Sequence, residues 1–198
     1  TVFKGTTGEA IHTVWYNPNR GYGVGGSAEY AGWGDKATLG NRGERFLACV
    51  AFLDGMDKKP SAVMCRGYYT RSYLWAVDFD GKALQTKWLH ASISENEWKL
   101  TNGDGKTISQ KAGLKATAYG QGAHSIAVAD VDGDGCDEIT YGSAAIDHDG
   151  SLLYSTGLGH GDAQHLTDLV PRRPGLEYYM VHEAHPYGAD LRDAHTGE

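Results

Sequence analysis

The sequence predicts an all-β protein of the propeller type, and three observations lead there. Gly supplies 28 of the 198 residues and Pro only five, beside 12 Tyr, five Trp and a 40% apolar share. That balance favours many short strands joined by tight turns around a packed core. Stretches with the 3.6-residue apolar period of a long helix are scarce. One plan then recurs at a spacing of roughly 40 to 70 residues, in the range of propellers and solenoids: an apolar strand, an acidic or turn-rich loop, a second strand, and a third that ends near a turn.

The first unit covers roughly residues 41–95. Residues 45–53 form an apolar strand that meets Asp54-Gly55, strands follow at 61–69 and 73–78, and a turn at Asp80-Gly81 leads to 84–88. In the second unit, roughly 121–158, a strand at 125–129 enters an acidic loop, 138–142 is the next strand, and the turn Asp149-Gly150 precedes 152–154. The third, roughly 160–198, has strands at 164–169, 176–183 and 189–193 with the break Pro171-Arg172-Arg173-Pro174-Gly175 between the first two. Residues 8–15 look like the end of a previous unit. Residues 96–119 break the plan, and Asn102-Gly103-Asp104-Gly105 reads as polar loop, so this stretch is expected to be a loop excursion. Three units cannot close a ring. The chain therefore reads as three to four blades of one propeller domain, completed by blades from further sequence or from another chain. A self-contained β-sandwich is the competing fold on strand content alone.

A net charge of −7 without a Lys/Arg cluster excludes the basic face that a nucleic-acid binder shows. No apolar run reaches the roughly 18–20 residues of a membrane-spanning helix. No leader pattern opens the sequence at Thr1, and both ends read as cuts through a repeat. Cys49, Cys65 and Cys136 include no CxxC pair, which argues against a cysteine zinc site. Cys49 and Cys65 fall on segments that fit adjacent strands, so a disulfide is open, with small buried hydrophobes as the commoner role.

The sharpest chemical signal is Asp130-Val131-Asp132-Gly133-Asp134-Gly135-Cys136-Asp137-Glu138. Calcium takes six to eight hard oxygen ligands in flexible geometry. Asp130, Asp132 and Asp134 alternate so that their carboxylates can curl around one point, Gly133 and Gly135 permit the curl, the Cys136 carbonyl comes next, and Glu138 closes the loop. An EF-hand is disfavoured: its twelfth position needs a Glu on a helix, and here it is Tyr141 in a β-rich run. Without a cation, so many carboxylates in one loop repel.

Nine histidines are a second signal. His124 and His160 each precede an inner strand at equivalent unit positions, and equivalent positions converge on a propeller axis. With Asp162 and Glu183 they form a candidate second cation site, for which zinc is chemically open and calcium with imidazole less usual.

The stretches Gly40-Asn41-Arg42, residues 45–51, Arg66-Gly67-Tyr68-Tyr69-Thr70-Arg71, residues 128–135 and residues 154–163 closely resemble rhamnogalacturonan lyases of polysaccharide lyase family eleven. The calcium loop is shared with many propellers, and the 66–71 and 154–163 stretches are the specific ones. The resemblance implies an eight-bladed propeller with several calcium ions. It implies a secreted bacterial enzyme that cleaves the rhamnogalacturonan-I backbone of pectin by β-elimination at galacturonate, with calcium ligands from the loop and from His124, His160 and Glu183. Family members are much longer, so part of the catalytic apparatus is expected outside this chain. Arg66, Tyr68 and Arg71 are candidates for contacting the anionic sugar, since Arg binds carboxylates bidentately and Tyr stacks on sugar faces. The alternative role for these three is structural, in ion pairs and core packing. A non-enzymatic, calcium-stabilised propeller that binds carbohydrate or protein is the competing function.

Overall fold

Fifteen strands are laid down in chain order, in a computed structural model that describes residues 1–19, 33–34, 42–113 and 116–198. They are β1 (Val2–Phe3), β2 (Ala10–His12), β3 (Phe46–Ala51), β4 (Ser61–Arg66), β5 (Ser72–Phe79), β6 (Leu84–Ser94), β7 (Glu97–Thr101), β8 (Thr107–Ala112), β9 (Ala127–Ala129), β10 (Glu138–Tyr141), β11 (Ala144–Ile146), β12 (Leu152–Ser155), β13 (Gly161–Thr167), β14 (Glu177–His182) and β15 (Ala189–Asp193). Helical structure among the described residues is confined to short 3-10 turns, one of them at Arg42–Glu44. The all-β class is as expected. The start of the first unit at 41, and Gly40-Asn41, lie outside the described residues.

Every sheet is an antiparallel meander. β1 and β2 pair, β3 to β8 form a six-stranded sheet, β9 to β12 a four-stranded sheet and β13 to β15 a three-stranded one, each in sequence order; no closed barrel occurs among the described residues. The expected strands are all present, but the first sheet is longer than a four-strand unit. The excursion expected over 96–119 is corrected: it carries β7 and β8. Only the Asn102 turn between them is the polar loop the composition suggested. There the Asn102 side-chain oxygen accepts from the amides of Asp104 and Lys106. β8 is exposed at nearly every position, so it shows no apolar alternation to read.

Alternation sets the packing. On β5, Tyr73, Trp75 and Val77 face one cluster with Trp33, Leu89 and Ala91. Leu74 and Ala76 face the other way, with Val63, Cys65, Trp88, Trp98 and Leu100, and meet Ile139, Tyr141, Ala144 and Ile146 of the four-stranded sheet. Each fully buried Val, Leu or Ile among them contributes about 1.5–3 kcal/mol. A third cluster, with Val131, Tyr178 and Met180, lies between the four- and three-stranded sheets. β9 packs against β3 on one side and β13 on the other, so the first strands of three successive sheets are neighbours.

Polar bolts cross the same seam. The Asp137 carboxylate accepts from the Phe52 amide at 2.7 Å, and the Tyr141 hydroxyl donates to the Gly67 carbonyl. His90, fully buried on β6, bonds through Nδ1 to the Gly150 carbonyl at 2.8 Å and through Nε2 to Ser92 Oγ at 2.8 Å. All three cysteines are free, so the open disulfide is not formed. Cys49 stands opposite Val63, and Cys65 opposite Leu47, so the two are not cross-strand partners.

Burial holds the His90 imidazole well below its ordinary range, at about 4. The unfolded chain, near 6.5, therefore binds a proton that the folded chain refuses between those values. Stability is intact above about pH 6.5 and falls by about 3 kcal/mol as the pH drops to 4. Denaturant titrations at pH 7 and 4.5 check this. His90→Gln should be weaker at pH 7 but lack this part of the acid loss, and equal losses in the two proteins would refute it.

Candidate metal centres

Two clusters of metal-ligating side chains flank β9, one at each end. At its start the chain runs Gln121-Gly122-Ala123-His124, and Ala123 makes a parallel bridge to Gly161. That bridge sets His124 beside His160 and Asp162 at the start of β13. Glu183 follows β14, whose His182 pairs with Gly161, and its amide donates to the His160 carbonyl at 3.2 Å. A side chain at Gly122 would collide with Tyr68, so this close approach requires glycine.

One ligand atom from each of His124, His160, Asp162 and Glu183 lies within 4.8 Å of every other. The structure thus brings together the four residues that the sequence singled out. His160 Nδ1 donates to the Gly122 carbonyl at 2.5 Å, which leaves Nε2 with its lone pair. Burial lowers the His160 pKa, so the ring stays neutral near pH 7. Its Nε2 is buried with no hydrogen-bond partner among the described residues and points toward Glu183, 3.9 Å away. A lone pair facing carboxylates is unfavourable by itself and favourable around a cation, so these residues fit a metal.

Aromatic rings wall the cluster. Tyr68 stacks on His160 with centroids 5.5 Å apart, and the Tyr69 hydroxyl is 3.1 Å from His124 Nε2. The Arg42 guanidinium lies 4.1 Å over the Tyr69 ring. Tyr69 and the Gly122 carbonyl were not singled out in the sequence. β4 ends at Arg66 and the chain turns at Gly67, so strand alternation no longer says which of the two tyrosines faces where.

The acidic loop, at the other end of β9, curls as expected, with Gly133 and Gly135 at φ of 82° and 94°. Asp130 accepts from the amides of Gly133 and Gly135, Asp132 from Asp134, and Asp134 from Cys136. Asp130, Asp132 and Glu138 converge within 4.8 Å; Asp134 instead gathers with the Cys136 side chain and His148. Glu138 is fully buried. One carboxylate oxygen accepts from the Val131 amide at 2.8 Å, and the other, Oε1, has no partner among the described residues. Burial first, then Asp132, Asp134 and Asp147, push its carboxyl up to about 8 against the pull of the Val131 amide.

The neighbouring sheets provide internal controls. Glu177 opens β14 as Glu138 opens β10 and is equally buried, but it accepts from both Leu169 and Val170 and leaves no buried oxygen unpaired. In the six-stranded sheet an ammonium does the work: Lys87 lies 2.6 Å from Asp54 and 3.6 Å from Asp78. Among the described residues of these three sheets, the four-stranded one combines buried unpaired carboxylate oxygens, Glu138 Oε1 and Asp147 Oδ1, with further carboxylates.

Of the sugar-contact candidates, Arg66 is corrected. It is buried, and its guanidinium donates to the carbonyls of Gly43 and Pro18 and to Glu44 at 3.0 Å, so its role is to brace the chain. Tyr68, also buried, backs the His160 ring rather than offering a face to a sugar. Arg71 is half-buried just before β5.

Residues 1–198 match the family model for the C-terminal domain of rhamnogalacturonan lyase family 11. The chain belongs to this family. Rhamnogalacturonan exolyase YesX of Bacillus subtilis (strain 168) is 52% identical over 200 residues, covering all of this chain and 28% of that protein. Rhamnogalacturonan endolyase YesW of the same organism is 47% identical over 201 residues, with the same coverage. The crystal structure of the exotype lyase YesX has a TM-score of 0.81 at 51% identity, over 100% of this chain and 28% of that one. The Bacillus licheniformis rhamnogalacturonan lyase PL11 gives 0.79 at 50% identity, over 100% and 29%. This family 11 chain therefore spans 28% of the length of the curated relatives it matches.

Because Glu138 in the metal-free chain holds its proton to about pH 8, a divalent cation must displace that proton at pH 7. Calcium titrated into the chain at pH 7 should release about one proton, and affinity should rise about tenfold per pH unit up to 8. Calorimetry in two buffers of different ionisation enthalpy measures it. Glu138→Gln should abolish the release, and no release from the unaltered chain would mean that Glu138 is already ionised.

Proposed function

We propose that this chain is part of the propeller catalytic domain of a calcium-dependent rhamnogalacturonan lyase, which cleaves the rhamnogalacturonan-I backbone of pectin by β-elimination at galacturonate. The observation that carries the reading is the His124–His160–Asp162–Glu183 cluster, with a buried unpaired imidazole nitrogen and exposed carboxylates at one mouth. Membership of the family supports the reaction. Near-equal identity to an exolyase and an endolyase supports placing in this region what those two share. The propeller is supported by the neighbouring first strands β3, β9 and β13 and by the parallel bridge between the segments that lead into β9 and β13.

Calcium is favoured for the acidic loop because its donors are carboxylate oxygens and a carbonyl, whereas magnesium keeps more waters. That ion fixes the sheet. At the His160 cluster, a bound calcium would supply positive charge to a uronate carboxylate and to the enolate-like charge that develops when the proton α to it leaves. The pair of electrons from that C–H bond forms the new double bond as the β glycosidic oxygen departs with a proton. His160 holds its lone pair outward because Gly122 fixes its tautomer, and Tyr69 orients His124 through its hydroxyl. Arg71 is proposed to contact the anionic sugar, and the general base is placed outside this chain. A polymeric substrate calls for action outside the cell, so the protein is proposed to be secreted.

The test is ultraviolet absorbance of the unsaturated uronate product on rhamnogalacturonan-I. It uses a full-length family protein carrying this chain, with calcium and with chelator. Chelation should abolish product formation, calcium should restore it, and His160→Ala should cut turnover about a hundredfold or more. Binding of the polymer without unsaturated product would favour the non-enzymatic carbohydrate-binding propeller instead.

A further inference from the structure

The register of the four-stranded sheet pairs Glu138 with Ala129 on one side and Ile139 with Ile146 on the other. Continued one step beyond its last pair, that antiparallel register sets Asp147 opposite Glu138. Directly opposed residues project to one face, and like charges there destabilise the pair. Each of these two carboxylates has one buried oxygen, Glu138 Oε1 and Asp147 Oδ1, without a hydrogen-bond partner among the described residues. Glu138 is fully buried, so its charge has no route to water. His148 Nε2 lies 3.7 Å from Asp147 Oδ1 and 3.7 Å from Asp134 Oδ2, which brings the β11–β12 turn and the acidic loop to one place.

The backbone at Asp147 is fixed. Its amide donates to the Ser151 carbonyl, and the Gly150 amide donates to its own carbonyl, both at 2.9 Å. The turn is bolted to the six-stranded sheet by Trp88 Nε1, which donates to the His148 carbonyl, and by His90 at Gly150.

We propose that Asp147 is a cation ligand, closing from the β11–β12 turn the calcium site that residues 130–138 open, so that one ion joins both hairpins of the sheet. The inference rests on the reading that calcium occupies the acidic loop. Two carboxylates opposed in this way must otherwise share a proton, and the experiment separates the two arrangements.

Calcium is titrated calorimetrically into the 198-residue chain, and melting is followed with calcium and with chelator. The proteins are wild type, Asp147→Asn, Asp147→Lys and the control Asp149→Asn, whose carboxylate only accepts the Ser151 amide. The loop's binding event is identified by its loss in Glu138→Gln. Asp147→Asn should weaken that event about tenfold or more. It should also shrink the calcium-dependent rise in melting temperature, while its metal-free melting temperature equals or exceeds wild type because the repulsion is relieved. Asp147→Lys, which sets an ammonium among the carboxylates as Lys87 does in the neighbouring sheet, should abolish the event, and Asp149→Asn should leave it unchanged. Wild-type calcium affinity in Asp147→Asn and Asp147→Lys, or an equal loss of melting temperature with and without calcium, overturns the ligand role alone. No calcium binding by the wild-type chain overturns the loop reading and this inference with it.

Discussion

Carboxylates gathered at the end of a small sheet repel unless something positive stands among them, and the fold meets that constraint in two sheets and leaves it open in a third. In the six-stranded sheet Lys87 supplies a fixed charge beside Asp54 and Asp78. In the three-stranded sheet one oxygen of Glu177, Oε2, accepts from two amides of its own loop. In the four-stranded sheet loop amides serve Asp130, Asp132, Asp134 and one oxygen of Glu138, and the other, buried oxygen of Glu138 is left over. The strands there are short, three or four residues each. Such a sheet draws little from its own ladder and depends on what holds its loop. The same loop carries Asp137, whose carboxylate accepts the Phe52 amide of the next sheet. Order in the loop is thus also order in the seam between two sheets.

The His160 cluster obeys a different logic. Its residues come from the segment before β9, the start of β13 and the end of β14, and the tyrosines that wall it follow β4. Two sheets must dock before the four ligand atoms meet, and a third supplies the aromatic wall. What positions them is packing: Tyr68 against His160, Gly122 pressed on Tyr68, and Ala123 bridged to Gly161. A methyl group at Gly122 would separate the sheets at this point. The cluster's geometry is therefore a consequence of the apolar seam rather than of any one loop.

Much of this was legible in the sequence because strand alternation and loop chemistry are local. The strand at 138–141 announces itself by β-branched and aromatic content, and those at 61–66 and 189–193 by apolar residues set between turn signals. The acidic loop announces itself by spacing alone. The four-residue cluster came from the equivalence of positions before inner strands, which is a property of the repeat. What escaped was non-local or lacked a pattern. β8 has no buried face to alternate. Arg66 resembled a substrate ligand because its type and neighbours say nothing of burial, and burial decides it: its donors are spent on Gly43, Pro18 and Glu44. Tyr69 was hidden by the loss of alternation after Gly67. Asp147 sat in an ordinary Asp-Gly turn signal, and only the register of β10 against β11 reveals that it faces Glu138.

The two centres lie at opposite ends of one strand, from His124 before β9 to Asp130 after it, a separation of about 20 Å for an extended segment of that length. Their surroundings differ in the way their roles should. The loop centre is drawn from elements of a single sheet, around a carboxylate with no access to water, which suits an ion that stays. The His160 centre keeps His124, Asp162 and Glu183 exposed and only His160 half-buried, so a ligand arriving from solvent can meet whatever is held there. A site that must exchange partners needs open coordination positions, and a site that must brace a sheet needs them filled. Asp130 is exposed as Asp162 and Glu183 are, so under the proposed roles it is the burial of the unpaired donor, complete at Glu138 and half at His160, that would separate a centre that meets substrate from one that holds the scaffold.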